Sequence, residues 1–313
     1  MTTRTALRYT LAFFAALLLS VSANAQLFRA YLAPTGLDTN PCTLPQPCRL
    51  LPAALAAVAD GGEIWMLDSA NYNTATVTIG KSVSILAVPG AVGSVLAIAG
   101  PAISITAPSL KVALRNLVIV PLAGGGGTNG VSMTGASSLT IEESLIANVP
   151  GIGVQVVGTG TVRIANTTLR NNFGAVLAQD GANVSISAAK MLGNAAGGVF
   201  AYATTVTNTA VVVSDSIISG GTQGVAAVTG IIGSIARVFV TRCTIENVSF
   251  ALDSETNNGL GSALVSVSGS MITKNVYGWY QLGAGSVIKS LGNNHIEDNA
   301  STPIGALTSA SLQ

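Results

Sequence analysis

Charged side chains are scarce in this chain of 313 residues. Lys, Arg, Asp and Glu make up 9% of it, against about 25% in an ordinary globular domain. Aromatic residues contribute 5%, and histidine occurs once. The 14 basic residues nearly balance the 13 acidic ones. We therefore expect no nucleic-acid partner, because binding to phosphates requires a basic surface.

Cysteine is also scarce, with three in the chain. Cys42 and Cys48 lie close together in a loop that contains several prolines. In an exported protein this pair predicts a disulfide, because no histidine or second cysteine pair is near enough in sequence to complete a zinc site. We expect no bound metal and no cofactor. His295, the single histidine, has no nucleophile motif beside it and is interpreted as a turn residue at the end of the fold.

The first 25 residues have the pattern of an export signal. Arg4 and Arg8 precede an apolar run over residues 11–19, and Ala23-Asn24-Ala25 supplies the small residues of a cleavage site. The apolar run is shorter than the ~20 residues that span a bilayer. We predict that residues 1–25 are removed and that the mature chain, residues 26–313, has no transmembrane segment. The predicted location is the periplasm or the outside of the cell.

A short pattern recurs eight times at spacings of 22 to 27 residues, which is typical of a repeat protein. Each copy begins with an apolar anchor, and the eight anchors are Leu114, Ile141, Ile164, Ile186, Val213, Val240, Val267 and Leu291. Valine or leucine stands two places before the anchor in all copies but the last, which has Lys289. Each copy therefore predicts a short strand with one buried face.

The residues after each anchor predict a bend and two further strands. The second residue is often Asn, Asp or Gly, which tolerate left-handed backbone. The third is mostly small, and we expect Cys243, a member of this column, to be buried. The fifth is apolar in every copy: Ile119, Ile146, Leu169, Met191, Ile218, Ile245, Ile272 and Ile296. A segment led by glycine closes most copies, so the pattern predicts an all-β fold, a single solenoid of stacked parallel strands.

The part before the repeats predicts a cap. Residues 50–59 predict a short helix that ends at Asp60-Gly61-Gly62, and residues 63–67, 77–79 and 83–85 predict the first strands. Because the open end of a solenoid needs cover, residues 26–62 are interpreted as an N-terminal cap. Residues 63–313 are then the coils.

The opening of the mature chain is distinctive. It combines segments 30–38, 41–42 and 47–49 with the short helix, residues 60–64 and residues 77–79. Together with the eight repeats, this opening resembles exported right-handed parallel β-helix proteins of the pectin-lyase-like superfamily, over essentially the whole mature chain. The resemblance implies a right-handed β-helix. It leaves the activity open, because this fold hosts lyases, hydrolases, esterases and adhesins.

The catalytic signatures of the superfamily are missing. Its polygalacturonases carry Asn-Thr-Asp, Asp-Asp, His-Gly and Arg-Ile-Lys. The nearest segments here are residues 166–168, 295–296 and 163–165, and Asp-Asp does not occur. Glycoside hydrolysis needs two carboxylates across the bond, and the acids from which a lyase would build a calcium site are scattered. The neighbours Glu142 and Glu143 fall at a bend and are interpreted as a solvated turn, so no catalytic residue is predicted.

The resemblance places the most favourable binding surface on the outer face of the third strand of each coil. Strand alternation puts one row of residues there: Gln155, Leu177, Phe200, Ala226, Asp253 and Tyr280. Asp253 is the one acid in this row, and Phe200 and Tyr280 offer rings that could stack on a sugar. The candidate binding residues are therefore Gln155, Phe200, Asp253 and Tyr280. An ordinary solvated face is the alternative.

Three functions remain open at this point. The missing catalytic signatures favour a non-catalytic exported scaffold that binds a polysaccharide or a cell-surface glycan. The alternatives are a polysaccharide lyase or glycoside hydrolase with a non-standard site, and a purely structural surface solenoid. The oligomeric state is not indicated.

Overall fold

Parallel strands stacked coil upon coil dominate the fold, in a computed structural model that describes residues 26–257 and 260–310. The predicted all-β parallel solenoid is confirmed. The predicted export segment, residues 1–25, lies outside the described residues. Within the described ranges, no helix combines the length and apolar character needed to cross a membrane.

The first strand of every coil belongs to one parallel sheet. In chain order its strands are Leu27–Leu32, Val58–Met66, Val83–Ala87, Lys111–Arg115, Ser138–Glu142, Thr161–Ala165, Asn183–Ser187, Asn208–Ser214, Ile235–Thr241, Ser262–Ser268, Ser286–Ser290 and Leu307–Ser309. The predicted anchors Leu114, Ile141 and Ile164 pair with one another across three neighbouring strands.

The second and third strands of the coils form the other sheet, in two stacks. The second-strand stack contains Ala70–Asn71, Gly93–Ala97, Leu117–Pro121, Leu145–Ala147, Thr168–Arg170, Lys190–Leu192, Met271–Thr273 and His295–Ile296. The third-strand stack contains Val77–Ile79, Ile103–Ile105, Val131–Met133, Ile152–Val157, Gly174–Gln179, Gly197–Ala203 and Tyr277–Leu282. Two long bent strands, Ile217–Thr229 and Thr244–Thr256, contribute to both stacks.

The bend after each first strand has a left-handed residue at the predicted position in seven copies. Their φ angles lie between 48° and 56°, at Asn116, Glu143, Asn166, Ala188, Asp215, Arg242 and Gly269. Left-handed backbone is unfavourable for Ala, Glu and Arg, but the N–H of each donates to a carbonyl of the next coil, as from Glu143 to Ala165 at 3.2 Å. In the eighth copy the prediction of Asn293 is wrong. Gly292 takes the positive φ of 80° instead, because glycine has no Cβ to oppose it.

The column of small residues after the bend satisfies buried backbone groups. The hydroxyl of Ser144 accepts the backbone N–H of Leu117 in the preceding coil at 3.1 Å and donates to its own Glu142 carbonyl at 2.8 Å. Ser270 accepts the N–H of Cys243 in the same way. Cys243 itself is buried, as predicted. Small polar residues recur here because each one closes the hydrogen bonds of its neighbour.

A second column, of asparagines, holds the bend before the third strand. The buried Asn172 accepts the Val149 N–H at 3.1 Å and donates to the Ile146 carbonyl at 3.1 Å. Asn275 makes the equivalent bonds to Val248 and Ile245 in a later coil. These amides fix the direction in which the third strand leaves the bend, and therefore its outer face.

The N-terminal cap contains one short helix, α1, Leu51–Ala57, within the described part of the chain. Leu51, Ala54 and Leu55 are its buried residues. The predicted helix end at residues 60–62 is wrong, because the chain turns extended at Val58 and these residues lie inside the strand Val58–Met66. The predicted disulfide between Cys42 and Cys48 is present.

Candidate functional site

The third strands place the predicted row of outer residues in register. Gln155 pairs with Leu177, Leu177 with Phe200, Phe200 with Ala226, Ala226 with Asp253, and Asp253 with Tyr280. The predicted order of the row is therefore confirmed. The ends of the row are well separated, because neighbouring parallel strands lie about 4.8 Å apart.

Asp253 differs from the prediction because it is almost fully buried. The residue is 1% exposed, although its strand position points away from the solenoid interior. One carboxyl oxygen, Oδ2, accepts a hydrogen bond from the side-chain amide of Gln223. The other oxygen, Oδ1, is buried and has no hydrogen-bond donor among the described residues. An unpaired buried carboxylate oxygen is costly, so this carboxyl favours binding a proton.

Glu255 lies beside Asp253 and corrects the prediction of an isolated acid. Two residues apart on one strand, both side chains point to the outer face. Burial, followed by the charge of Glu255, raises the pKa of Asp253 to about 7, and the Gln223 amide partly opposes this rise. Asp253 and Glu255 are here called the acid pair, and Asp253 exchanges its proton near neutral pH.

Tyr202 lies two coils before the acid pair, on the row of Glu255. Pairing runs from Tyr202 to Val228 and from Val228 to Glu255. Burial raises the pKa of the Tyr202 phenol, and the nearby negative charges of Asp253 and Glu255 raise it further. The phenol therefore stays protonated, and an O–H donor faces the acid pair.

Three rings form a cluster next to the acid pair. Phe250 and Tyr277 stack with ring centres 5.3 Å apart and planes 6° apart. Tyr280 meets Phe250 edge-on, with centres 4.9 Å apart. All three side chains are half-buried. Phe250, Tyr277 and Tyr280, here called the aromatic cluster, therefore present apolar surface to solvent beside a buried acid.

The structure separates the remaining predicted residues from this cluster. Phe200 is 4% exposed, and its ring packs edge-on against Tyr202 with centres 5.8 Å apart. Gln155 lies four strands from Asp253, and its side chain accepts a hydrogen bond from the Asn129 amide at 2.6 Å. Of the four predicted residues, Asp253 and Tyr280 are brought together on neighbouring strands, and Gln155 is not part of the same site.

A cleft borders the row of Glu255 where the third strands end. Its volume is about 380 Å³. The lining residues are Tyr202, Ala203, Thr204, Val228, Thr229, Gly230, Ile231 and Asn257. The wall mixes threonine hydroxyls with apolar side chains, so the third-strand face continues into a concave surface.

The other acids and the histidine lie away from this face. Glu142 pairs with Arg115 at 2.6 Å, while Glu143 occupies the bend, so these neighbours diverge as predicted. His295 is exposed and contacts Glu297 at 2.6 Å. Burial raises the pKa of the Cys243 thiol. Within the described residues, no three His, Cys, Asp or Glu side chains come together as potential metal ligands.

Residues 129–301 match the family model described as "Right handed beta helix region". This match covers more than half of the 313 residues. The chain belongs to the right-handed β-helix family. A search of curated protein sequences finds no match.

Solved structures of carbohydrate-active enzymes match this β-helix protein to different degrees. The pectate lyase Pel9A matches with a TM-score of 0.65 and 16% sequence identity, covering 85% of this chain and 75% of that chain. A rhamnogalacturonan lyase matches with a TM-score of 0.42 and 12% identity, over 85% of this chain and 71% of that one. A GH136 lacto-N-biosidase from Eubacterium ramulus reaches 0.39 and 10%, over 91% and 68%. At 16% identity the likeness to the pectate lyase establishes the fold alone.

Several residues of the site were not predicted from the sequence. Glu255 could have been found, because a residue two places from Asp253 shares its face of the strand. Gln223, Phe250 and Tyr277 occupy one column of paired positions in successive coils. The signal for that column is a small residue after each of them: Gly224, Ala251 and Gly278.

Proposed function

We propose that this β-helix protein binds saccharides on its third-strand face and does not cleave them. The observation that carries the proposal is the aromatic cluster beside the acid pair. Ring faces bury the apolar C–H surface of a sugar, while nearby carboxyl and hydroxyl groups bond its hydroxyls. Few polar groups set among aromatic side chains are typical of small-ligand sites.

The geometry of the acid pair supports binding without hydrolysis. Glycosidases hold two carboxyl groups about 5 to 9.5 Å apart, so that a bond or a water fits between them. Here Asp253 and Glu255 are two residues apart on one strand, and the residue Asp253 is 1% exposed. Asp253 is therefore too buried to reach a glycosidic bond, and Glu255 would be left without a second catalytic carboxyl group.

The pKa of Asp253 favours a second candidate function, acid-catalysed hydrolysis. A carboxyl group with a pKa of about 7 holds its proton at neutral pH, as a general acid must. This candidate requires the side chain to become exposed when a ligand binds. The two candidates differ in whether product forms.

Phe250→Ala is expected to weaken saccharide binding about tenfold, because it removes the central ring of the aromatic cluster. Isothermal titration with the strongest hit from a glycan array would measure this loss. Phe239→Ala is the matched control, since Phe239 is an exposed phenylalanine on the first-strand sheet. Equal affinities for Phe250→Ala and wild type would contradict the proposed binding face.

We expect no depolymerisation of polygalacturonate, methyl-esterified pectin or the array hit. Reducing ends and unsaturated products would be followed, with and without calcium, at pH 5 and pH 8. Turnover that is lost in Asp253→Asn would replace the binding function with the second candidate. Asp253→Asn keeps the shape of the side chain, so a loss of turnover would report on the proton and not on packing.

We also propose that the protein works outside the cytoplasm. The disulfide between Cys42 and Cys48 supports this, because disulfides persist in oxidising compartments. The export pattern in residues 1–25 points the same way. The glycan would then be a polysaccharide of the surroundings or of a cell surface.

A further inference from the structure

The third-strand face around the aromatic cluster carries acids and, among the described residues, no basic side chain. Its outer positions form three columns of paired residues. They are Gln155, Leu177, Phe200, Ala226, Asp253 and Tyr280; Val157, Gln179, Tyr202, Val228, Glu255 and Leu282; and Gly197, Gln223, Phe250 and Tyr277. Asp253 and Glu255 are the two charged members, so the face is negative wherever the acid pair is ionised.

The carboxyl group of Asp253 is held in one position. The Gln223 amide holds Oδ2 of Asp253, and Oδ1 is buried without a donor. The groups on the packed strands beside the pair are Tyr202, Tyr277, Tyr280, Gln223 and Val228. No cation on these strands neutralises the pair. A ligand that stacks on the aromatic cluster therefore lies close to the negative charge of the pair, where little water screens it.

We propose that this face selects uncharged saccharides and rejects those that carry uronate groups, with the Asp253–Glu255 pair as the determinant. The inference rests on the proposed binding function. A neutral sugar hydroxyl can donate to the half-buried Glu255, whereas a uronate carboxylate would be repelled. Like charges several ångströms apart near a protein surface oppose binding by about tenfold. The acid pair therefore determines which class of saccharide binds, because it repels charged ones.

The discrimination is expected to depend on pH. The pKa of the buried Asp253 carboxyl is raised to about 7, so the face gains one negative charge as the pH rises through that value. Uronates remain ionised throughout, since their carboxyl groups titrate at much lower pH. The preference for uncharged ligands should therefore increase from pH 5.5 to pH 8.5. Burial and the nearby acids raise the pKa of the Tyr202 phenol, so this group stays neutral over the interval.

The test compares matched ligands that have the same number of sugar units and differ in the charge of the group at C6. Isothermal titration would use hexagalacturonate against its fully methyl-esterified form, and cellohexaose against its C6-oxidised hexauronate. At pH 8 wild type should bind the uncharged member of a pair about tenfold more tightly. Glu255→Gln and Asp253→Asn each remove one carboxyl group and should lower that ratio, and the double variant should bring it close to one. Glu246→Gln is the control: Glu246 is on the same strand but on the far side of the bend at Asn247. It should keep the wild-type ratio.

The outcomes separate the inference from the function on which it rests. Uronates that bind wild type as tightly as their uncharged partners would overturn the charge selection and leave glycan binding standing. A ratio that persists in both Glu255→Gln and Asp253→Asn would also overturn it, because the selection would come from other groups. Failure of wild type to bind any of the four probes or any array glycan would overturn the proposed function and the inference together. Thermal unfolding would establish that each variant is folded.

Discussion

Ile218→Asp is expected to unfold the protein or to destabilise it by more than about 5 kcal/mol. Ile218 is fully buried and pairs with Met191 and Ile245 in the neighbouring coils. The substitution removes aliphatic packing worth about 2 to 5 kcal/mol and adds a charge without a partner. A solenoid has no other place for this side chain, because coils above and below close it in.

The adjacent residue provides the control for this prediction. Ile217 precedes Ile218 on the same strand, but it points outward and is 41% exposed. Ile217→Asp should change the free energy of unfolding by less than about 1 kcal/mol. Urea denaturation monitored by circular dichroism would compare the two variants with wild type. If Ile218→Asp unfolded at the wild-type midpoint, the interior register described above would be wrong.

The regular part of the fold was predictable because the repeat samples one environment many times. An apolar residue at the position of Ile218, Ile245 and Ile272 in successive copies identifies a buried column, since exposed positions vary. The repeat also predicted the bend in copies whose own residue disfavours left-handed backbone. Ala188 and Arg242 disfavour left-handed backbone by themselves, but their place in the column required it.

The ends of the solenoid were less predictable because no repeat averages them. Val58 belongs to an alanine-rich segment that favours helix, yet it begins a strand that pairs with Leu27. Tertiary pairing overrides local propensity there. At the last bend Gly292, and not Asn293, has the left-handed backbone. The final copy has no full coil after it to fix the register of its strand.

The row of the site was predictable, but its environment was not. Alternation along each third strand placed Phe200, Asp253 and Tyr280 in one row. Alternation fails three residues before Asp253, because Ala251 and Leu252 are both buried and the strand is irregular there. Phe250 therefore reaches the outer face from a position that alternation alone assigns to the interior. The burial of Asp253 depends on side chains from several coils, and one strand's sequence does not contain that information.

Asp253→Asn is expected to make the protein more stable than wild type at pH 8, by about 2 to 4 kcal/mol. The pKa of Asp253 is raised by burial to about 7 in the folded state, against about 3.9 in an unfolded chain. Between these values the folded state keeps a proton that the unfolded state has lost. The stability that Asp253 contributes when it is protonated is therefore complete below about pH 4. It is lost as the pH rises from about 4 to about 7.

Asparagine avoids this loss of stability at high pH because its amide cannot ionise and can still form hydrogen bonds with the neighbouring side chains. Its amide N–H₂ can donate to Glu255, and its oxygen can accept from Gln223. Urea denaturation at pH 4, 5, 6, 7 and 8 should show variant and wild type equal at pH 4 and diverging with rising pH. The difference between the two isolates Asp253, because Asp180 and Asp215, whose pKa values are lowered, are common to both.

Glu255→Gln should also reduce the dependence of the free energy of unfolding on pH, since its amide can donate to Oδ1 of Asp253. Glu246→Gln should follow wild type. A constant difference between Asp253→Asn and wild type at all five pH values would show that folding does not raise the pKa of Asp253.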